Sequence, residues 1–359
     1  MWVHNLDPFL IQLTDTFGIR WYGLAYLTGF VLGGAFVVWM AKRGRRMVPA
    51  EQAVDLVTYI VFGTMIGGRL GYAVFYSPDL LTSFGGSFPF WGVLRVWEGG
   101  MASHGGIIGV FLAAILFART RGHDWRTVGD LTIVGGAIGI FLGRVANFIN
   151  GELFGRAASP DLPWAVRFPQ EMYHELKVAT GRSLQAATDA QESLRRFADA
   201  MTTVGVSPEK WRQWVDTVRT QAQSRFDIQD AIQRAIQAIQ SGQDSVTQAF
   251  APVLTPRHPS QLYEGLLEGL LLLVITIVIW HRPRKPGVVG AWFLTLYAVA
   301  RIFCEQFRLP DAEIGFQLLG LTRGQWLSIG MIVGTLLILV HVTRRPAEAV
   351  GGWGRGSKN

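Results

Sequence analysis

The sequence predicts an all-α, polytopic membrane protein with about seven transmembrane helices. Three observations predict it. Half of the 359 residues are hydrophobic and only 16% are charged, where a soluble domain carries roughly a quarter. Several apolar runs approach the ~20 residues that cross a bilayer as helix. Basic residues fall in alternate short loops, the pattern that sets orientation in a membrane. Mean hydropathy is positive, and the 42 glycines permit close helix packing and kinks. The net charge of +7 sits in those loops, so it is a topology signal and not a nucleic-acid footprint. Cys304 is the single cysteine, which excludes an internal disulfide and any CxxC metal site.

Taken in order, the first apolar run covers about 20–40 and ends on Lys42, Arg43, Arg45 and Arg46. Met1–Arg20 lacks the basic start and apolar core of a secretory signal, so this span is expected to serve as an uncleaved address. The second run is 54–75 and the third 103–119, followed by Arg119, Arg121 and Arg126. The fourth is 128–149, the fifth 261–280 with Arg282, Arg284 and Lys285 after it, the sixth 288–306, and the seventh 325–342 with Arg344 and Arg345 after it. Between spans four and five lies a long polar segment. Its middle, about 170–250, is rich in Gln, Ala, Arg and Asp. Leu194, Phe197, Met201, Ile228, Ile232, Ile236 and Ile239 recur there at helical spacing, which predicts a helical insertion with one apolar face. The expected organisation is therefore helices one to four in 1–150, an extracytoplasmic head in 151–258, helices five to seven in 259–345, and a flexible cytoplasmic tail in 346–359. The positive-inside rule puts the N-terminus outside and the C-terminus in the cytoplasm.

That topology sorts the polar residues within the spans. Tyr22 and Tyr26 in span one, Arg69, Tyr72 and Tyr76 in span two, and His104 in span three all fall in outer halves. So do Arg144 and Asn147 in span four, Glu264 and Glu268 in span five, and Arg301 and Glu305 in span six. The inner halves hold almost none, Asp130 being the exception. An ion path needs polar groups through the full depth. A cavity open to the outer leaflet or outer face needs only this distribution.

Residues 143–156 read Gly-Arg-Val-Ala-Asn-Phe-Ile-Asn-Gly-Glu-Leu-Phe-Gly-Arg. Arg144 and Asn147 share a helix face, and Gly151 is expected to end the helix, with Glu152 and Arg156 just beyond. A fixed cation and an amide at that depth suit an anionic head group or a departing phosphate; the alternative is a structural Arg–Glu pair. Arg69, among Gly67, Gly68 and Gly71, offers a fork of donors for phosphate, or else snorkels or pairs with a carboxylate. His104, flanked by Gly105 and Gly106, is a candidate for proton transfer, against a hydrogen-bonded structural role. No other His lies at ligand spacing, so no metal site is expected. Arg257 and His258 sit just outside span five, Tyr263 and Glu264 just inside it. Arg301 and Glu305, four apart, are expected to neutralise each other, and Cys304 between them is expected to be a packed thiol.

Together these strings resemble one family, the prolipoprotein diacylglyceryl transferases. The strings are WYGLAYL at 21–27, GGRLGYAVFY at 67–76, RVWEGGMASHGG at 95–106, GRVANFINGELFGR at 143–156, RHPSQLYEGLLEG at 257–269 and RIFCEQFRLPD at 301–311. The resemblance implies a multi-pass enzyme of the bacterial cytoplasmic membrane, with its active site toward the outer leaflet. It implies transfer of diacylglyceryl from phosphatidylglycerol to the lipobox cysteine thiol of a prolipoprotein signal peptide, with release of glycerol phosphate. No cofactor, metal or nucleic acid is expected. The family's functional positions map onto Tyr22, His104, Arg144, Asn147, Glu152, Gly155 and Arg257. Arg144 and Arg257 are expected to hold the phosphate, and Tyr22 and Asn147 to orient the head group. His104, Glu152 or Glu264 would take the thiol proton, while Arg69, Gly155, Tyr263 and Glu264 would line the lipid site. A transporter would need polar residues through the depth and inverted repeats; a non-catalytic scaffold would not need His104 and several arginines beside one cavity. The segment between Pro169 and Pro256 looks longer than in the usual family member, and is expected to cap or guide entry of the lipoprotein substrate.

Overall fold

The computed structural model describes residues 1–12, 18–85, 88–96, 99–181, 183–310 and 317–354. Trp97, Glu98 and Asp311 of the quoted strings, Arg182 of the insertion and residues 355–359 of the tail lie outside the described residues. The chain is mostly helical. Among the described residues, six helices are long and apolar enough to cross a membrane: α1 (Trp21–Arg43), α2 (Ala50–Phe75), α4 (Ser103–Arg121), α5 (Trp125–Ile149), the continuous Ser260–Ile279 helix and α14 (Arg323–Arg344). A shorter apolar helix, α13 (Val288–Cys304), supplies the sixth predicted span. The Ser260–Ile279 helix comprises α11 (Ser260–Glu264), a π-helical stretch at Gly265–Leu271, and α12 (Leu272–Ile279). The remaining helices are α3 (Asp79–Thr82) and, in the insertion, α6 (Glu171–Ala179), α7 (Leu184–Arg195), α8 (Pro208–Thr217), α9 (Ala222–Gln240) and α10 (Asp244–Phe250).

Among the described residues two small sheets accompany the helices. Strands β1 (Trp2–Val3), β4 (Val166–Arg167) and β5 (Pro256–Arg257) form one in the order β1-β4-β5, with β1 parallel and β5 antiparallel to β4. Strands β2 (Phe9–Gln12) and β3 (Gly18–Arg20) form an antiparallel pair ahead of α1. Strands of two to four residues carry too few positions to show an alternating pattern.

The chain divides into two compact units. The first comprises Met1–Ala25, Phe141–Glu268 and Ala298–Gly330. Its core lies in the insertion, where Leu194, Phe197, Met201, Trp211, Ile228, Ile232 and Ile239 are fully buried. Local signals start those helices: Ser207 caps α8 through the Lys210 amide with Pro208 following it, and Ser183 caps α7 through the Ala186 amide.

The second unit comprises Tyr26–Ile140, Gly269–Tyr297 and Met331–Asn359. There α2 and α4 meet on a glycine seam. A Cβ on Gly105 or Gly109 would run into the carbonyl oxygens of Gly67 and Gly63, so the glycines of the two motifs serve helix–helix contact. Buried Asp130 accepts from the Gly287 and Gly290 amides at 2.8 and 2.7 Å, which caps α13 from a neighbouring helix. The tail, expected to be flexible, is instead pinned through residue 353. Gly351 bridges Arg45 and Val350 bridges Arg284. The Trp353 indole donates to the Ile277 carbonyl, and its ring lies against Trp39 and His281.

Candidate active site

The C-terminal end of α5 brings the first group of side chains together. Asn147, three residues after Arg144, is buried. Its Nδ2 donates to Tyr22 Oη at 2.6 Å and to Glu152 Oε1 at 2.8 Å. Gly151 reverses the chain with φ of 66°, a left-handed conformation that glycine adopts without steric cost. The Glu152 amide returns to the Asn147 carbonyl. Tyr22, Asn147 and Glu152, picked from three separate positions in the sequence, thus form one hydrogen-bonded group.

Arg144 belongs to a larger charge network. Its Nη2 lies 2.9 Å from Glu264 Oε2 and 3.5 Å from Glu268 Oε2. Arg301 Nη1 reaches Glu264 at 3.0 Å and Glu268 at 3.4 Å, and its Nη2 donates to Glu305 at 2.5 Å. Arg308 Nη1 donates to both Glu264 oxygens, at 3.1 and 3.2 Å. Thr322 Oγ1 donates to the other Glu305 oxygen. Glu264 ends α11 and Glu268 lies within the π-helical stretch that follows, a distortion often found at functional positions. Three carboxylates are therefore matched by three guanidinium groups, as charges withdrawn from water require. The carboxylates are sealed, at 0–4% side-chain exposure, while the arginines keep 13–19%. The open edges of the network are cationic. The expected Arg301–Glu305 neutralisation is present, yet Arg301 also joins Arg144. Arg308 was missed by sequence reasoning; it lies beyond the end of α13, in a bridge with Gly155, and the helical period gives no signal for it. Cys304 is fully buried.

Arg257 takes a different position from the phosphate clamp expected for it. Its side chain is buried, its Nε donates to Glu171 Oε2 at 2.8 Å, and its Nη1 donates to the Gly155 carbonyl at 3.3 Å. The guanidinium lies over the Phe154 ring, 4.8 Å from its centroid. Gly155 itself is a crossing of main chains. Its amide donates to the His258 carbonyl, and a Cβ there would lie 2.5 Å from the carbonyl oxygens of His258 and Phe307. Next to it, Arg156 donates to the carbonyls of Arg308 and Glu305 at 2.9 and 3.0 Å, closing the end of α13. Gln261 and Ser260 donate to the carbonyls of Glu152 and Leu153.

Three other candidates have distinct surroundings. Among the described residues, Arg69 is held by main-chain carbonyls and by no carboxylate. Its buried guanidinium donates to the carbonyls of Gly92, Val93, Arg95, Gly99 and Gly100, so it folds the 92–100 loop. Tyr263 Oη accepts from the Trp164 indole at 2.7 Å and lies 3.3 Å from His258 Nδ1. Burial pushes the His258 imidazole below its ordinary pKa, which favours its neutral form. His104 is exposed in the first turn of α4, within the second unit.

The model of the prolipoprotein diacylglyceryl transferase family matches residues 8–341. The chain belongs to this family. Among curated proteins, the phosphatidylglycerol–prolipoprotein diacylglyceryl transferase of Bdellovibrio bacteriovorus is 45% identical over 354 residues, covering 99% of this chain and 97% of the relative. The enzymes of that name from Rhodospirillum rubrum and Burkholderia ambifaria are 34% and 37% identical, each covering 96% or more of both chains. These transferases match along nearly the whole length of both chains.

Proposed function

We propose that this chain transfers the diacylglyceryl group of phosphatidylglycerol to the lipobox cysteine thiol of a prolipoprotein. The observation that carries the reading is the convergence of Arg144, Arg301 and Arg308 on sealed carboxylates in a chain of this family. In the reaction the thiolate sulfur attacks the glycerol carbon that bears the phosphate ester. A C–S bond forms, the C–O bond to phosphate breaks, and glycerol phosphate leaves with the electron pair. The chemistry asks little of the protein beyond charge and position. The cationic edges of the network meet the phosphate of an anionic lipid and stabilise it as it departs. Asn147, held by Tyr22 and Glu152, offers a fixed amide to the head group. The substrate brings its own sulfur, which agrees with a single buried Cys304. The family resemblance leaves His104 or Glu152 to take the thiol proton. Glu264 is less suited to that task because its oxygens already pair with three arginines. Membership of the family supports a bacterial cytoplasmic membrane setting, and loop charge supports an N-terminus outside, a C-terminus in the cytoplasm and the site toward the outer leaflet.

The test is direct. Purified protein in proteoliposomes is mixed with phosphatidylglycerol and a lipobox peptide, and glycerol phosphate release and peptide mass are followed. The expected result is a diacylglyceryl mass gain, abolished by Cys→Ser in the peptide and by Arg144→Ala in the protein. Full turnover by Arg144→Ala ends the phosphate-clamp assignment. An unchanged pH–rate profile for His104→Gln ends the assignment of His104 as base.

A further inference from the structure

The reaction leaves one fully buried carboxylate unexplained. Glu171 opens α6, the first helix of the insertion, and has no exposed surface. One of its oxygens accepts from the Arg196 guanidinium at 2.7 Å and from the Thr255 amide at 2.9 Å. The other accepts from Arg257 Nε at 2.8 Å. A single side chain therefore ties the start of the insertion, the end of α7 and the strand that leaves the insertion. Arg257 passes the constraint on through its bond to the Gly155 carbonyl. Gly155 and Arg156 are fixed to His258 and Phe307 by main-chain bonds, and Arg156 grips the carbonyls of Glu305 and Arg308. The string ends on the helix terminus that presents Arg301, Glu305 and Arg308 to the charge network.

We propose that Glu171 is a positioning residue, and that through the Glu171–Arg257–Gly155 string the insertion sets the placement of the arginines at the end of α13. The insertion then works as a brace for the site. The inference rests on the reaction proposed above only for its kinetic readout. The physical reasoning is that a buried carboxylate with three donors in fixed directions holds each of them to one geometry. Misplacement of a charge clamp by a fraction of an ångström lowers turnover more than it lowers ground-state binding.

The experiment uses the full-length protein carrying Glu171→Gln, Arg257→Gln and both together. Glutamine keeps the acceptor for the Thr255 amide and removes the charge. Glu171→Gln is expected to lower kcat about tenfold with KM for phosphatidylglycerol nearly unchanged. It is also expected to speed hydrogen exchange at the Gly155 and Arg156 amides. The double variant should be no slower than Arg257→Gln alone, because the two residues act in series. Glu171→Asp, which keeps the charge, should recover part of the turnover, and it carries the same test should Glu171→Gln not fold. Independent, multiplicative effects of the two substitutions overturn the proposal, as does unchanged exchange at 155–156. Absence of product from the wild-type protein counts against the assigned reaction instead, and leaves the exchange result to decide the brace.

Discussion

At the scale of single residues, position 155 has the least freedom. A methyl group at Gly155 would meet two carbonyl oxygens at 2.5 Å, and both belong to main chain that cannot swing away. Gly155→Ala is expected to cost about 2–3 kcal/mol of stability, the upper range for overpacking, and to remove activity; denaturant melts of the detergent-solubilised variant check the first, product mass the second. Arg301 presents the converse case. It touches Glu264, Glu268 and Glu305, so Arg301→Gln leaves sealed carboxylates with too few cations. The expected loss is on the order of 3–5 kcal/mol, as for breaking other buried pairs, and Arg301→Lys should restore charge without the planar fork and recover only part of the activity. Equal stability of Arg301→Gln and wild type would count against the network as drawn. Much of this site could be read from the sequence, since Arg144, Asn147 and Glu152 lie within nine residues of one motif. What could not be read depends on chain folding over distance. The role of Arg69 stays open in the sequence because the five carbonyls that occupy it come from a loop some twenty-five residues on. Glu171 carried no local signal, because its partners arrive from positions 196, 255 and 257.

At the scale of elements, the membrane helices follow from length and hydropathy alone, and the seven predicted runs correspond to six long apolar helices and one shorter one. The shorter helix, α13, is also the one capped by a side chain from elsewhere. Asp130 takes the amides of Gly287 and Gly290, two of the donors that a helix start leaves without intrahelical partners. Asp130→Ala is expected to cost about 1–2 kcal/mol, the upper range for loss of a cap, with turnover per folded molecule retained. A fall in turnover without a fall in melting temperature would point to a role beyond capping. The tail shows where composition misleads. Gly351 and Gly352, read as flexible, adopt φ of 74° and 80° and turn the chain so that Val350 and Gly351 pair with Arg284 and Arg45. The glycines serve a fixed bend that other residues would strain. Truncation after Arg345 is therefore expected to lower the melting temperature in detergent by several degrees, and an unchanged melt would show that the strap contributes nothing.

At the scale of the whole molecule, the first unit stores a dependence on pH. His4 is fully buried beside Phe148 and Phe168, with its Nε2 hydrogen-bonded to the Phe148 carbonyl at 2.8 Å. Burial pushes its pKa down to about 4. His174 is also lowered to about 4, by burial first and then by the charges of Arg257 and Lys177. The folded state thus favours both imidazoles neutral, whereas the unfolded chain takes up protons near 6.5. Between about pH 6.5 and pH 4 the unfolded state binds more protons, so stability falls as pH is lowered through that window and is level above it. Glu175, whose carboxyl is raised by burial, has the opposite sign and offsets part of the loss close to its own titration. For His4 alone the shift amounts to about 2 kcal/mol by pH 5. The melting temperature is expected to be flat from pH 8 to pH 7 and to drop between pH 6.5 and pH 5. His4→Gln should be less stable than wild type at pH 7 yet show a shallower decline. If the decline is just as steep without the imidazole, the titrating groups lie elsewhere and the buried His4 is a packing residue only.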